Sequence, residues 1–320
     1  MIYHFSMPDW QQTLLESLKT KPQQGQKFFE AGLSLDIVSQ IQDCRILTVF
    51  VHDKVSAEII AQLPNLKLII TRSTGFDHID LKASKTRNIV VENVPNYGSE
   101  TVAEFAFALL LALTRHVPTI STRSNDFDFN YSDLQGLDLN GKTIGILGSG
   151  KIGRNMIQIA KGFDLKVVVF DIFPDRDLAK SLDFEYCDLD QVLENADILS
   201  LHLPFTPETK VLFSRQNLSK VKTGCIFINV ARGNLITNQN LAWALKTGVF
   251  SACGLDTIED EEKLFLGQAT DLQRDILNNP KVIFSPHCAY FTTEALERIL
   301  TTTTQNIVDF ESGKIGNQVN

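Results

Sequence analysis

A chain of 320 residues exceeds the size at which single cores stop growing, about 250–300 residues, and is read as two domains. With 43% hydrophobic and 21% charged residues it is globular rather than disordered. A net charge of −8 excludes broad attraction to nucleic acid or anionic lipid, so any pull on an anionic substrate must be local.

The five cysteines, Cys44, Cys187, Cys225, Cys253 and Cys288, are widely spaced with no CxxC pair. That pattern excludes a disulfide framework and a zinc site and fits reduced thiols. Cys288 reads as a small buried side chain rather than a nucleophile. The N-terminal MIYHFSMPDW lacks the layout of a signal peptide, and the longest apolar run, Phe105–Leu113, is too short to span a bilayer. A cytoplasmic protein with no metal is expected.

In chain order, Ile2–Phe5, Ile46–Val51, Leu66–Thr71 and Ile89–Val91 read as four strands of a first unit, alternating with helical patterns as in a parallel α/β sheet. At Thr101–Arg115 the period changes. Val102, Phe105, Ala106, Leu109, Leu110 and Leu113 share one face of a long helix. The polar stretch Ser121–Asn140 is either a solvated connection or an arm facing a partner. A second series of strands follows: Lys142–Leu147, Lys166–Asp171, Ile198–Leu203, Cys225–Val230, Ala252–Asp256 and Val282–Ser285. Thr292–Gly313 is helical, with Leu296, Ile299, Leu300 and Ile307 on one side, and Gly316–Asn320 is expected to fray. A final helix docking back on the first unit would make that unit discontinuous.

The strand at Lys142–Leu147 runs into Gly148-Ser-Gly150-Lys151-Ile152-Gly153 and then a helix. The first glycine permits the turn, the second lets backbone approach a pyrophosphate, and the third lets helix pack on strand. The phosphates then rest on amides at a helix N-terminus. Asp171 lies eighteen residues after Gly153, ending the next strand. A carboxylate there binds the ribose 2′-hydroxyl of NAD and repels a 2′-phosphate, although Arg176 nearby leaves room for some tolerance.

Hydride chemistry on a keto acid needs a cation for the carboxylate and carbonyl, a proton donor, and a partner for that donor. Candidates end the later strands. Arg232 follows Ile228-Asn-Val-Ala, and its planar fork suits a carboxylate, though a lone loop arginine is ordinarily a surface residue. The acids from Asp256 to Glu262 end another strand, where a solvated charge run is the usual meaning. His287 follows Ser285-Pro286 directly after the last strand.

Taken together and in this order, these features resemble the D-isomer-specific 2-hydroxyacid dehydrogenase family, over nearly the whole chain. The resemblance includes TRSTGFDHIDL (Thr71–Leu81), VPNYGSETVAEFAFALLLAL (Val94–Leu113), ADILSLHLPFTPET (Ala196–Thr209), INVARG, GLDTIEDEE and SPHCAYFT (Ser285–Thr292). The Tyr290-Phe291 pair and Glu262, where many relatives carry proline, are most similar to the D-lactate dehydrogenase branch.

The resemblance implies an α/β fold of two doubly wound parallel-sheet domains, a Rossmann NAD domain inserted in a flavodoxin-like catalytic domain, with a cleft between them. It places the catalytic domain at 1–98, the NAD domain at 99–287 and a C-terminal return segment of the catalytic domain at 288–320. It also implies NAD as cofactor, a small 2-keto or 2-hydroxy acid as substrate, and a homodimer. Arg232 would bind substrate and polarise its carbonyl, His287 would exchange the proton, and Glu261 would orient the histidine and favour its protonated form. Asp256 would hold the nicotinamide carboxamide. His202, Pro204, Val230 and Ala231, with Lys151 and Ile152 of the glycine loop, would line the cofactor. Thr74 and Gly75 would meet the substrate carboxylate, with Tyr97 and Tyr290 on the substrate side. His52 departs from the aromatic residue common in the D-lactate branch and leaves side-chain size open. Two alternatives stand beside this reading: a bulkier substrate such as phenylpyruvate, and a non-catalytic NAD-sensing binder like the corepressors of similar fold. A formate-oxidising relative would carry glutamine in place of Glu261.

Overall fold

The computed structural model describes residues 1–18, 20–23 and 25–320, the side chain of Val211 excepted. The chain divides into two compact units, Met1–Tyr97 with Thr292–Asn320, and Gly98–Phe291. The expected return segment at 288 therefore begins later. Residues 288–291 follow the last strand of the second unit and hydrogen-bond within it, which holds them there.

The first unit is a five-stranded, wholly parallel sheet. Its strands are β1 (Ile2–His4), β2 (Gln26–Phe28), β3 (Ile46–Val49), β4 (Leu68–Thr71) and β5 (Val90–Glu92), in the order β2-β1-β3-β4-β5. That is the flavodoxin-like order. Strand β2 was not expected. Its Gln-Lys-Phe triplet is short, part-exposed and on the sheet edge, so it carries no apolar alternation. Of the helices Leu35–Val38, Ala57–Gln62 and Leu81–Thr86, the last two carry side-chain caps: Ser56 accepts from the Ile59 amide at 3.4 Å and Asp80 from the Ala83 amide at 2.8 Å. The long helix Thr293–Glu311, capped by Thr292, covers part of the sheet: Ile307 packs with Ile2, Ile46, Leu68 and Ile70. The tail does not fray. The Val319 amide donates to the Val91 carbonyl at 2.9 Å, the Gly316 amide donates to Glu92 Oε1 at 2.9 Å, and Gln318 bridges Glu92 antiparallel.

The second unit holds a seven-stranded parallel sheet. Its strands are β6 (Thr143–Leu147), β7 (Lys166–Phe170), β8 (Glu185–Tyr186), β9 (Ile198–Leu201), β10 (Cys225–Asn229), β11 (Phe250–Leu255) and β12 (Val282–Phe284), in the order β12-β11-β10-β9-β6-β7-β8. This is the doubly wound dinucleotide-binding order extended by β12, and its switch point falls between β6 and β9. Two apolar layers cover its faces. One joins the helices Ser99–Thr114 and Lys151–Gly162 to the sheet; the other joins Leu189–Asn195, Asn238–Thr247 and Asp271–Leu277. The buried face of Ser99–Thr114 differs from the expected one. Ala103 and Phe107 are buried while Val102 and Phe105 are only partly so, because this helix packs on both Lys151–Gly162 and the sheet.

The expected polar stretch Ser121–Asn140 is half correct. A helix, Val117–Asn125, takes its start, and an irregular segment follows with Phe127 83%, Phe129 71% and Tyr131 77% exposed. Among the described residues no single helix is long and apolar enough to cross a membrane.

Candidate active site

In the second unit the C-terminal ends of parallel, adjacent strands lie along one sheet edge. Residues following them are therefore neighbours in strand order: His287 after β12, Asp256 after β11, Arg232 after β10, His202 after β9, Gly148 after β6 and Asp171 after β7. Ligands of such sheets bind at this edge, near the switch point.

Gly148 has φ +100, and a Cβ on it would lie 2.7 Å from the His202 carbonyl oxygen. A Cβ on Gly153 would lie 2.0 Å from the Gly148 carbonyl oxygen, so the helix Lys151–Gly162 reaches this close to the turn only with glycine. Gly150 is exposed, and a Cβ there would meet nothing within 4 Å. Open space thus lies before the loop and the helix amides, where a pyrophosphate fits. Lys151 is exposed and Ile152 half-buried at the helix start. Asp171 sits across from the loop, accepting from the Ser149 amide at 2.7 Å and from the Ser149 hydroxyl at 2.8 Å. Arg176 is exposed at a helix start, and Arg154 reaches Asp175 at 3.3 Å.

His202 is half-buried. Its Nε2 bonds Ser200 Oγ at 2.9 Å, while its covered Nδ1 has no partner. Burial lowers its pKa to about 3, so it is neutral at the loop. An orphaned polar atom beside a glycine cradle is a further fit for a cofactor. Val230 is buried, Ala231 half-buried and Pro204 exposed.

Arg232 is aimed by its own strand. Asn229, fully buried, accepts from the Ala231 amide at 3.0 Å and donates to the Arg232 carbonyl at 3.0 Å. That turn ends β10 and sets Arg232 in extended backbone. Its guanidinium donates to the Ala231 carbonyl at 2.8 Å.

His287 stands at φ +53, a left-handed conformation that is sparsely populated by any residue with a side chain. Its amide donates to the Asp256 and Ser285 carbonyls, each at 2.9 Å. Its Nδ1 meets Glu261 Oε1 at 2.7 Å, both side chains being largely buried. Glu261 starts a short helix, Glu261–Phe265, after Asp260 at φ +56. Glu259 is not a rival partner, because its carboxylate caps the Asn238 amide at 2.7 Å; Glu262 is exposed.

Asp256 is 1% exposed. Its oxygens accept from Ser285 Oγ at 2.6 Å, the Cys288 amide at 3.0 Å and the Ala289 amide at 3.0 Å. Burial pushes its carboxyl up from the ordinary value, and these donors pull it back. What the fold shows Asp256 doing is clamping the histidine loop, a role the sequence reading missed. The Cys288 thiol is pushed up by burial, which leaves it protonated and a poor nucleophile. Tyr290 packs edge-on against Phe291, centroids 5.9 Å apart.

The remaining expected residues lie on the first unit, after β3, β4 and β5. Thr74 donates to the Val94 carbonyl at 3.1 Å, and Asn93 donates to the Thr74 carbonyl at 2.8 Å, so the Thr74–Gly75 loop is fixed from within. The Tyr97 carbonyl accepts from Arg298 at 2.6 Å. His52 is exposed, its ring edge-on to Phe50. Next to it Asp53 is buried, accepting from Ser6, Leu33 and Phe50 at 2.7 to 2.9 Å, which pins that loop. Asn229, Asp53, Ser149 and Ser285 were missed as site residues because a buried polar side chain leaves no periodic signal in a sequence.

Comparison with known proteins agrees with this geometry. A family model described as D-isomer specific 2-hydroxyacid dehydrogenase, NAD binding domain, matches residues 107–289. The chain is 35% identical to 2-hydroxyacid dehydrogenase homolog 1 of Schizosaccharomyces pombe, over 97% of this chain and 96% of that one. It is 34% identical to the D-lactate dehydrogenase of Escherichia coli, over 90% of each chain. Among solved structures it is similar to D-lactate dehydrogenase from Aquifex aeolicus complexed with NAD and lactic acid, with a TM-score of 0.89, 34% identity, and coverage of 100% of this chain and 99% of that chain.

Proposed function

Because the chain belongs to the D-isomer-specific 2-hydroxyacid dehydrogenases, NAD-dependent oxidoreductases, and lies in their D-lactate dehydrogenase branch, we propose that it reduces pyruvate to D-lactate through Arg232, His287 and Glu261. The observation that carries the mechanism is the 2.7 Å contact of His287 Nδ1 with Glu261. Glu261 holds the ring through Nδ1, and Nε2 is the atom that would exchange a proton with substrate. In reduction Nε2 gives its proton to the oxygen that becomes the hydroxyl; in oxidation it takes that proton back. When bound, the cofactor would supply a hydride as NADH in reduction and accept one as NAD in oxidation. Arg232, always charged, holds the carboxylate and draws electron density toward the carbonyl oxygen. Asp171 would hold the ribose hydroxyls, and the glycine loop would hold the pyrophosphate. Similarity to two D-lactate dehydrogenases supports the choice of pyruvate.

The test is initial rates with NADH against a panel of 2-keto acids, with the chirality of the product determined. Pyruvate is expected among the best substrates, giving the D-isomer. A kcat/KM for phenylpyruvate about tenfold above that for pyruvate, roughly 1.4 kcal/mol of transition-state preference, would overturn the choice of substrate and leave the reaction class standing. The exposed Phe127, Phe129 and Tyr131 support a second inference, that the protein works as a homodimer joined through this segment.

A further inference from the structure

Three side chains meet beside the glycine loop, all of them in the second unit. Ser149 is buried, and both its amide and its hydroxyl donate to Asp171 Oδ2, at 2.7 and 2.8 Å. Tyr186, on the edge strand β8, donates its phenolic hydroxyl to Ser149 Oγ at 2.8 Å. Phe184 packs edge-on against the Tyr186 ring, centroids 4.9 Å apart, which holds the phenol in place. The other carboxylate oxygen, Oδ1, accepts from the Phe173 amide at 2.9 Å.

A carboxylate offers about four lone-pair sites, and protein donors occupy most of them here. What remains open is on Oδ1. Turning Oδ2 outward would break both bonds from Ser149 at once. The run from phenol to serine hydroxyl to carboxylate is one in which each donor strengthens the next. Arg154 donates to the Ser149 carbonyl at 3.2 Å, and its guanidinium end reaches Asp175 at 3.3 Å.

We propose that Tyr186, acting through Ser149, is a positioning residue for cofactor choice: it fixes Asp171 with its open acceptor on Oδ1, so that a ribose hydroxyl is taken and a 2′-phosphate is turned away. The proposal rests on Asp171 being the ribose carboxylate. A tyrosine on a two-residue edge strand thereby contributes to the preference for NAD without touching it.

The test measures Kd for NADH and for NADPH by fluorescence titration of the full chain, for wild type and for Tyr186→Phe, Ser149→Ala, Ser149→Thr and Asp171→Asn. Tyr186→Phe should raise the NADH Kd by about 5-fold, the worth of one ordinary hydrogen bond, while leaving NADPH within about twofold. Ser149→Thr, which keeps the hydroxyl, should retain more of the preference than Ser149→Ala. The double variant Tyr186→Phe/Ser149→Ala should be no weaker than Ser149→Ala, because the tyrosine acts through the serine. Melting curves confirm that each variant is folded, and the serine variants carry the test if Tyr186→Phe is not. An NADH Kd in Tyr186→Phe within about twofold of wild type, equal losses for both cofactors, or additive losses in the double variant would overturn the proposal. If Asp171→Asn leaves the preference unchanged, the ribose assignment itself fails. If Asp171→Asn shifts it and Tyr186→Phe does not, only the role of Tyr186 fails.

Discussion

Arg232 leaves β10 through the Asn229 turn, and its planar fork can meet two oxygens at once. Arg232→Lys keeps the charge and loses the fork. The kcat/KM for pyruvate should fall about 100-fold or more, at least about 2.7 kcal/mol of transition-state stabilisation, with little change in the NADH Kd. Steady-state rates and a binding titration separate the two. Glu261 acts by holding the His287 ring. Glu261→Gln keeps an oxygen that can face Nδ1 at the 2.7 Å position, whereas Glu261→Ala removes it. The kcat/KM for pyruvate should fall further in Glu261→Ala than in Glu261→Gln, with the NADH Kd little changed in both. Rates in both directions check this, and a Glu261→Ala variant within a few-fold of wild type would remove Glu261 from its role.

At the scale of elements, the helix Thr293–Glu311 is fastened to the first unit by apolar packing. Ile307 is fully buried among Ile2, Ile46, Leu68 and Ile70. Ile307→Ala should cost about 2–5 kcal/mol of stability, read as a lower denaturant midpoint. A loss under about 1 kcal/mol would mean that the helix closes over the gap. The long elements were legible in the sequence because their periodicity is strong. β3, β4, β6, β7, β9, β10 and the last helix lie within a few residues of expectation. The edge strands β2 and β8 were not legible, since three residues and two residues carry no period. At the site, the glycine loop, Arg232 and His287 could be found from the strand ends they follow. Glu261 as the histidine's partner came from resemblance, because spacing alone did not choose it over Glu259 or Glu262. The clamp at Asp256 and the turn at Asn229 appear only in three dimensions, as hydrogen bonds between separate loops.

At the scale of the whole molecule, acid should weaken the fold through His4. It is fully buried between Thr48 and Gln26, and burial, assisted by Arg72, lowers its pKa to about 3. The folded histidine stays neutral while the unfolded one takes a proton below its ordinary value of about 6.5. Unfolding is then favoured as pH falls from about 6.5 toward 3, by up to several kcal/mol. His4→Gln, which cannot titrate, should show a shallower loss of unfolding free energy between about pH 6.5 and pH 4. An identical slope would assign the acid sensitivity elsewhere. The proposed homodimer is tested by Phe127→Asp/Phe129→Asp, expected to move the mass in analytical ultracentrifugation from dimer to monomer. Wild type sedimenting as a monomer would end that inference.

The division of the chain also bears on its synthesis. Gly98–Phe291 is one continuous run, whereas the first unit needs both Met1–Tyr97 and Thr292–Asn320. As the ribosome delivers the chain, the second unit can complete its sheet and both apolar layers while the first still lacks its long helix. Until Thr293–Glu311 emerges, Ile2, Ile46, Leu68 and Ile70 have no cover from it, and until Gly316–Asn320 follows, β5 is a bare edge. Such edges and patches are what aggregation and chaperones recognise. The nascent protein is therefore most vulnerable on the half that was made first and closes last.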